Sequence, residues 1–298
     1  MTRTFVAPIS FGLGDLVVSL PAVQALVAGG ETWLVARSSV QLALAERIEG
    51  LAGAVREEEL DSRGARYVNL RDHPIQRDHW WGTEEFARAY GEIRINEILA
   101  RICADRAIAA DFSRPRALLA RPRSGLRGAV LLVPGTDAPA KRWPAERWVA
   151  LADALRAAGR TVRVMTGGGG SDGENALRES GVLAAEAPTP GEVVDVVTGC
   201  AAVVGVDTGL VHLAAQQGTP AVALFRQPAI YFRPWPHCRA VLGAPCDRAC
   251  LQAERARAYH GSIDRPAESF RPAACAAGGQ CLAAISPRDV LAACNEVA

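Results

Sequence analysis

Short β-like apolar runs and longer helical ones take turns along this chain. Arg3 to Ala7 makes a β-like start, Phe11-Gly12-Leu13-Gly14-Asp15 is a turn, and Leu16 to Val27 carries apolar residues at helical spacing. Pro21 falls inside that helical run and predicts a bend. Thr32 to Ala36 reads as a buried strand and Val40 to Ile48 as another helix. Strand–helix–strand–helix order predicts an α/β fold, a parallel sheet with helices on both faces. Tyr67 to Leu70 reads as a further strand, and residues 71–82 as a polar, aromatic loop. Ile93 to Arg106 predicts a helix with Ile95, Ile98, Leu99 and Ile102 on one face.

Arg121 to Gly128 is basic, holds Pro and Gly, and is followed at once by apolar residues, so it reads as a linker. Beyond it the same rhythm returns. Strands are expected at Ala129–Val133, Thr161–Thr166, Ala202–Val206 and Ala221–Phe225. Helices are expected at Pro144–Ala158, Val193–Thr198 and Leu210–Gln217. This pattern predicts two Rossmann-like, doubly wound domains, residues 1–122 and 129–298, facing a central cleft. The final helix is left free to pack back on the first domain. Ligands of such sheets sit at the C-terminal ends of the strands.

Composition narrows the function. Apolar residues make up 49% and charged residues 22%, a globular balance rather than a disordered one. A net charge of +1 gives no electrostatic hold on nucleic acid. No apolar run reaches bilayer-spanning length, and residues 1–8 are too short and too soon broken for a signal peptide. A cytoplasmic location with reduced thiols is expected. Cys238, Cys246, Cys250, Cys275 and Cys281 crowd near the C-terminus, but no C-x-x-C pair occurs, so free thiols are expected rather than a metal site.

Chemistry gathers at strand ends. The run Val203–Ala215 is an apolar strand, a small-residue turn and a helix start, and such a turn aims backbone N–H groups and a helix dipole at one point that favours an anion. Thr208 and Gly209 offer those N–H groups, and His212 sits one helical turn further in, behind them. Thr136 and Lys141 lie between a strand and the helix entered at Pro144, where a lysine can reach a phosphate. Gly167 opens a four-glycine stretch that permits close backbone approach, and Asp172 or Glu174 just after it can hold ribose hydroxyls. Arg226 follows the strand that ends at Phe225 and reads either as a contact to phosphate or acceptor sugar or as a surface charge. Gly14 and Asp15 open the first helix, and the third glycine of a dinucleotide fingerprint is missing because Val17 stands there. Asp15 reads either as a helix cap or as a base that takes a proton from an acceptor hydroxyl. A helix N-terminus stabilises the carboxylate and makes it a weaker base. His73, Trp80 and Trp81 give the 71–82 loop the character of a sugar-stacking surface, or of a packed aromatic core.

Taken in order, these segments resemble glycosyltransferase family 9, the ADP-heptose:lipopolysaccharide heptosyltransferase family. The resemblance is carried by Gly14-Asp15-Leu16-Val17 with Pro21, then Pro134-Gly135 and Lys141-Arg142-Trp143-Pro144, then Gly167-Gly168. Asp207 through Ala215, Pro220 to Phe225, and Cys281 to Pro287 complete it. The resemblance implies a GT-B fold and inverting, metal-independent transfer of a heptose or related sugar from an ADP-activated donor, with no cofactor. It implies Asp15 as general base and Lys141 as the charge that neutralises the diphosphate. Asp207, Thr208 and Gly209 would bind donor phosphate and sugar. The chain contains no Asp-x-Asp, the short metal–diphosphate clamp of other transferases, so fixed protein charge must stabilise the leaving group. Arg226 replaces a glycine of the family pattern, and Cys250–Cys275 enlarges a shorter loop. The acceptor stays open between a lipopolysaccharide core, a natural product and a cell-wall glycan. Two rival readings are an NAD-dependent oxidoreductase, which needs the missing dinucleotide fingerprint, and a nucleotide-sugar-binding protein without catalysis.

Overall fold

The computed structural model describes residues 3–77, 84–136, 138, 141–166, 171–227, 229–245 and 280–297. In the first half, β1 (Thr4–Ala7), α1 (Leu13–Gly29), β2 (Thr32–Ala36), α2 (Ser39–Leu44), β3 (Gly53–Arg56) and β4 (Arg66–Asn69) follow in turn. The helices α3 (Pro74–Arg77), α4 (Glu84–Tyr90) and α5 (Ile95–Asp105) come next. The four strands form one parallel sheet in the order β3-β2-β1-β4.

The second half runs β5 (Ala129–Val133), α6 (Ala145–Ala157), β6 (Thr161–Met165), α7 (Asp172–Glu179), β7 (Leu183–Ala185) and α8 (Pro190–Gly199). It continues with β8 (Ala202–Val206), α9 (Gly209–Gln217), β9 (Ala221–Gln227), β10 (Cys238–Pro245), α10 (Gln280–Ala283) and α11 (Pro287–Val297). Six parallel strands order as β10-β9-β8-β5-β6-β7. Every strand is parallel to its neighbours, so each sheet collects its functional loops at one edge.

Local chemistry accounts for the boundaries. Ser38 caps α2 by accepting from the Gln41 amide, and Thr189 with Glu192 closes a capping box on α8, whose first residue is Pro190. Gly218, at φ +76°, ends α9 in a left-handed turn that a side chain would strain. Pro144 precedes α6 as its cap instead of opening it. The bend expected at Pro21 does not end the helix, and α1 runs through it to Gly29. A proline inside a helix costs about 3 kcal/mol. Leu16, Val17, Val18, Leu20 and Val23 are all buried, and each contributes about 1.5–3 kcal/mol. Burial therefore wins.

One apolar cluster joins the two halves, drawing on α1, α5, α8 and α9. A second lies between the C-terminal sheet and the helices α6 and α11. The final helix α11 packs against α6, β8, β9 and β10, on the C-terminal sheet and not on the first half. Arg47 grips Asp195 of α8 through both oxygens, at 3.0 and 3.2 Å. The Arg121 amide also donates to Asp195, at 2.6 Å, and Arg47 and Leu119 exchange two further hydrogen bonds at 3.1 and 2.7 Å. One ion pair thus ties the first half, the connecting segment and the second half. Burial opposes the Asp195 charge, but its donors prevail and hold the carboxyl below its ordinary range. The pair is mostly buried, so Asp195→Ala strands a guanidinium. It is expected to cost about 3 kcal/mol in urea unfolding.

Candidate active site

The site begins with two helices that meet start to start. A Cβ built on Gly209 would lie 2.8 Å from Leu13 Cβ and 3.0 Å from the Gly14 nitrogen. A Cβ on Gly14 would lie 3.5 Å from Gly209 Cα and 3.3 Å from the His212 ring. Only hydrogen at Gly209 lets the N-termini of α1 and α9 come this close, and a side chain at Gly14 would press on the His212 ring. The first-turn amides of a helix have no partner within it, so two positive dipole ends converge here.

Asp15 stands in the first turn of α1. Its Oδ2 accepts from the Gly12 amide at 2.8 Å and its Oδ1 from the Tyr231 hydroxyl at 3.1 Å. The sequence suggests a carboxylate stabilised by its helix and hence a weak base. The opposite holds. Burial pushes its pKa up more than the Gly12 amide, Tyr231 and Lys141 pull it down, and the nearby Asp207 charge adds to the rise.

Asp207 directly follows β8 and uses both its oxygens. Lys141 Nζ lies 2.7 Å from Oδ2 and also donates to the Asp207 carbonyl at 3.2 Å. His212 Nε2 lies 3.0 Å from Oδ1. Burial works against this carboxylate, but Lys141 and His212 more than offset it and hold the group well below the usual range. Arg233 Nη1 lies 2.7 Å from His212 Nδ1 and, as an obligate donor, leaves the ring proton on Nε2 to face Asp207. Burial first, then the Arg233 charge, pushes the His212 pKa down and keeps the ring neutral. Arg233 is 1% exposed, touches Gln216 Oε1 at 3.3 Å and lies over Trp235. Burial lowers its pKa to about 10, which leaves it charged at neutral pH. A chain of contacts thus runs Lys141–Asp207–His212–Arg233.

Of the residues singled out from sequence, Gly14, Asp15, Lys141, Asp207, Thr208, Gly209 and His212 come together. Thr208 caps α9, and among the described residues its buried hydroxyl has no hydrogen-bond partner. His212 has both ring nitrogens committed to protein, Nε2 to Asp207 and Nδ1 to Arg233. Thr136 lies past the end of β5, where its hydroxyl accepts from the Ala138 amide. Glu174 is buried in the first turn of α7, and Arg226 is the penultimate residue of β9. His73 binds Asp105 at 2.9 Å and accepts from the Ile75 amide at 3.2 Å, so its ring braces α3 against α5. Gly167, Trp80 and Trp81 lie outside the described residues. Tyr231 and Arg233 were not singled out from sequence. The run Tyr231-Phe232-Arg233-Pro234-Trp235, aromatic and basic just after a strand, was the available signal.

The sequence model of glycosyltransferase family 9 (heptosyltransferase) matches residues 104–258. The chain belongs to glycosyltransferase family 9. Lipooligosaccharide heptosyltransferase 2 of Haemophilus influenzae is 34% identical over 134 residues, which cover 41% of this chain and 37% of that protein. Among solved structures, a glycosyltransferase family 9 protein of Veillonella parvula superposes with a TM-score of 0.68 at 15% identity. It covers 99% of this family 9 chain and 97% of its own. ADP-heptose lps heptosyltransferase II of E. coli gives 0.62 at 17%, covering 100% and 98%. The fold of this family member is GT-B.

Gly209→Ala tests the helix contact. The added methyl meets Leu13 and Gly14 at distances no relaxation of a side-chain tip relieves. A loss of about 1–3 kcal/mol in urea unfolding is expected, and an unchanged midpoint would show the helix starts free to part.

Proposed function

We propose that this protein is an inverting, metal-independent glycosyltransferase. It moves a heptose or related sugar from an ADP-activated donor to a hydroxyl of a glycan or natural-product acceptor. One observation carries the reading. A carboxylate with raised proton affinity, Asp15, faces a fixed ammonium, Lys141, at the junction of two helix N-termini. The family supports transfer chemistry, and its heptosyltransferase relatives support ADP-heptose and a lipooligosaccharide or lipopolysaccharide acceptor. A cytoplasmic location goes with a nucleotide-activated donor. Among the described residues no helix is long and apolar enough to cross a membrane.

Asp15 takes the proton of the acceptor hydroxyl as its oxygen bonds to the anomeric carbon, on the face opposite the nucleotide. The bond from that carbon to the diphosphate oxygen breaks, and its electron pair leaves with ADP. Lys141 and the amides at the start of α9 receive the charge that develops there, already in place before reaction. Asp207, its second oxygen steadied by His212, keeps Lys141 where the diphosphate needs it and can accept from donor sugar hydroxyls. Thr208 offers its unpartnered hydroxyl to the donor.

Asp15→Asn is expected to lower turnover by about 10²–10⁴-fold while calorimetric affinity for ADP holds. Wild-type turnover in that variant would overturn the base assignment. Lys141→Ala is expected to weaken ADP binding by about 10–100-fold, and unchanged affinity would exclude the diphosphate contact. Because burial raises the Asp15 pKa, the base is lost as pH falls through that raised value. The acid limb of kcat/KM should therefore lie above the ordinary aspartate value of about 3.9. Turnover should survive EDTA.

A further inference from the structure

The Asp15 carboxylate is held from two sides that belong to different halves of the molecule. Gly12, on its own helix, holds Oδ2, and Tyr231, which follows β9, reaches across and holds Oδ1. The residues beside Tyr231 are anchored in opposite directions. The Ile95 amide, at the start of α5, donates to the Ile230 carbonyl at 3.0 Å. Phe232 and Arg233 are buried on the other side, Arg233 against His212 of α9. The Tyr231 ring lies 5.8 Å from that of His212. The segment is stitched into both halves, and the phenol reaches Asp15 from that frame.

We propose that Tyr231 is a positioning residue for the base, fixing the Asp15 carboxylate in its reactive orientation only while the two halves stand apposed. The proposal rests on Asp15 being the base. A carboxylate oxygen has a second acceptor direction, so Oδ1 can hold the phenol and still receive an acceptor hydroxyl. Tyr231 keeps its own proton throughout, and the proton from the acceptor passes to Asp15. The groups that face Asp15 are the Gly12 amide, the Tyr231 hydroxyl and the Lys141 ammonium, which favour its charged form, and the Asp207 carboxylate, which opposes it. Removing the phenol deletes one of the favourable contacts and leaves the rest. When the halves separate, the same contact is broken without mutation. Separation also removes the enclosure that raises the Asp15 pKa, so the carboxylate becomes more acidic and is free to rotate.

The test is Tyr231→Phe in the full chain, with Asp15→Asn beside it. Aspartate side-chain carboxyl carbons are labelled and titrated by NMR, and Asp15 is assigned by its absence in Asp15→Asn. The Asp15 midpoint should move up by about one pH unit in Tyr231→Phe. With ADP-heptose as donor, turnover should fall about tenfold, and the acid limb should move in the same direction, while ADP affinity stays put. A Tyr231→Phe protein with the wild-type midpoint overturns the proposal, and so does one that merely melts earlier with that midpoint unchanged. The titration needs no acceptor, so it decides even where turnover is too slow to read. Full turnover in Asp15→Asn would instead bring down the base assignment itself, a result distinct from a silent Tyr231→Phe.

Discussion

Everything at the site depends on two helices meeting at their starts. Gly209 removes the side chain that would hold α1 and α9 apart, and Gly14 leaves room for the His212 ring beside it. With the helices that close, Asp15 from one half and the Lys141–Asp207 pair from the other fall within electrostatic reach. Two positive dipole ends in contact repel each other, and the arrangement is offset by the apolar cluster that buries both helices along their length. Packing energy is thus stored as a concentrated positive potential, and two carboxylates sit at its edge with pKa values pushed in opposite directions. Asp207, gripped by an ammonium and an imidazole, stays charged. Asp15, closed in with weaker partners, holds a proton more readily. One carboxylate is suited to orient and the other to exchange a proton, and the difference comes from their neighbours.

The halves are also joined at a second place. The Arg47–Asp195 pair, with the Arg121 amide and Leu119, gathers the first half, the connecting segment and α8. It shares nothing with the reacting groups. The contact of α1 with α9 and the bridge from Tyr231 to Asp15 lie at the site itself. One set of contacts therefore carries the covalent connection while another assembles the chemistry.

Much of the fold was legible in the sequence where burial was complete. The strands β2, β5 and β8 have the residues expected of them, since each is a short run buried on both faces. Seven elements were missed: β3, β7, β10, α3, α4, α7 and α10. β3 is half-buried, β7 has three residues, β10 alternates exposed and buried at a sheet edge, and α7 is a polar helix beginning at Asp172. None of these carries an apolar rhythm strong enough to stand out. The groups of the candidate site were legible for a different reason. Asp15, Lys141 and the 207–209 turn each sit where a strand gives way to a helix, a place that parallel sheets use for ligands. Tyr231 was hidden because its partner Asp15 is 216 positions away, and no local pattern reports such a pairing. The direction of the Asp15 shift was misjudged because enclosure by a second half of the molecule is invisible from its own helix.

Arg233 has a consequence of its own. Its guanidinium sits beneath the floor of the site, almost wholly shielded from water, and meets a neutral imidazole rather than a carboxylate. Dissolved ions screen surface charge within about 8–10 Å at ordinary ionic strength, but they reach an enclosed charge far less. Part of the attraction felt by a polyanionic ligand is therefore built into the protein interior, and brine that erases surface steering leaves that part standing.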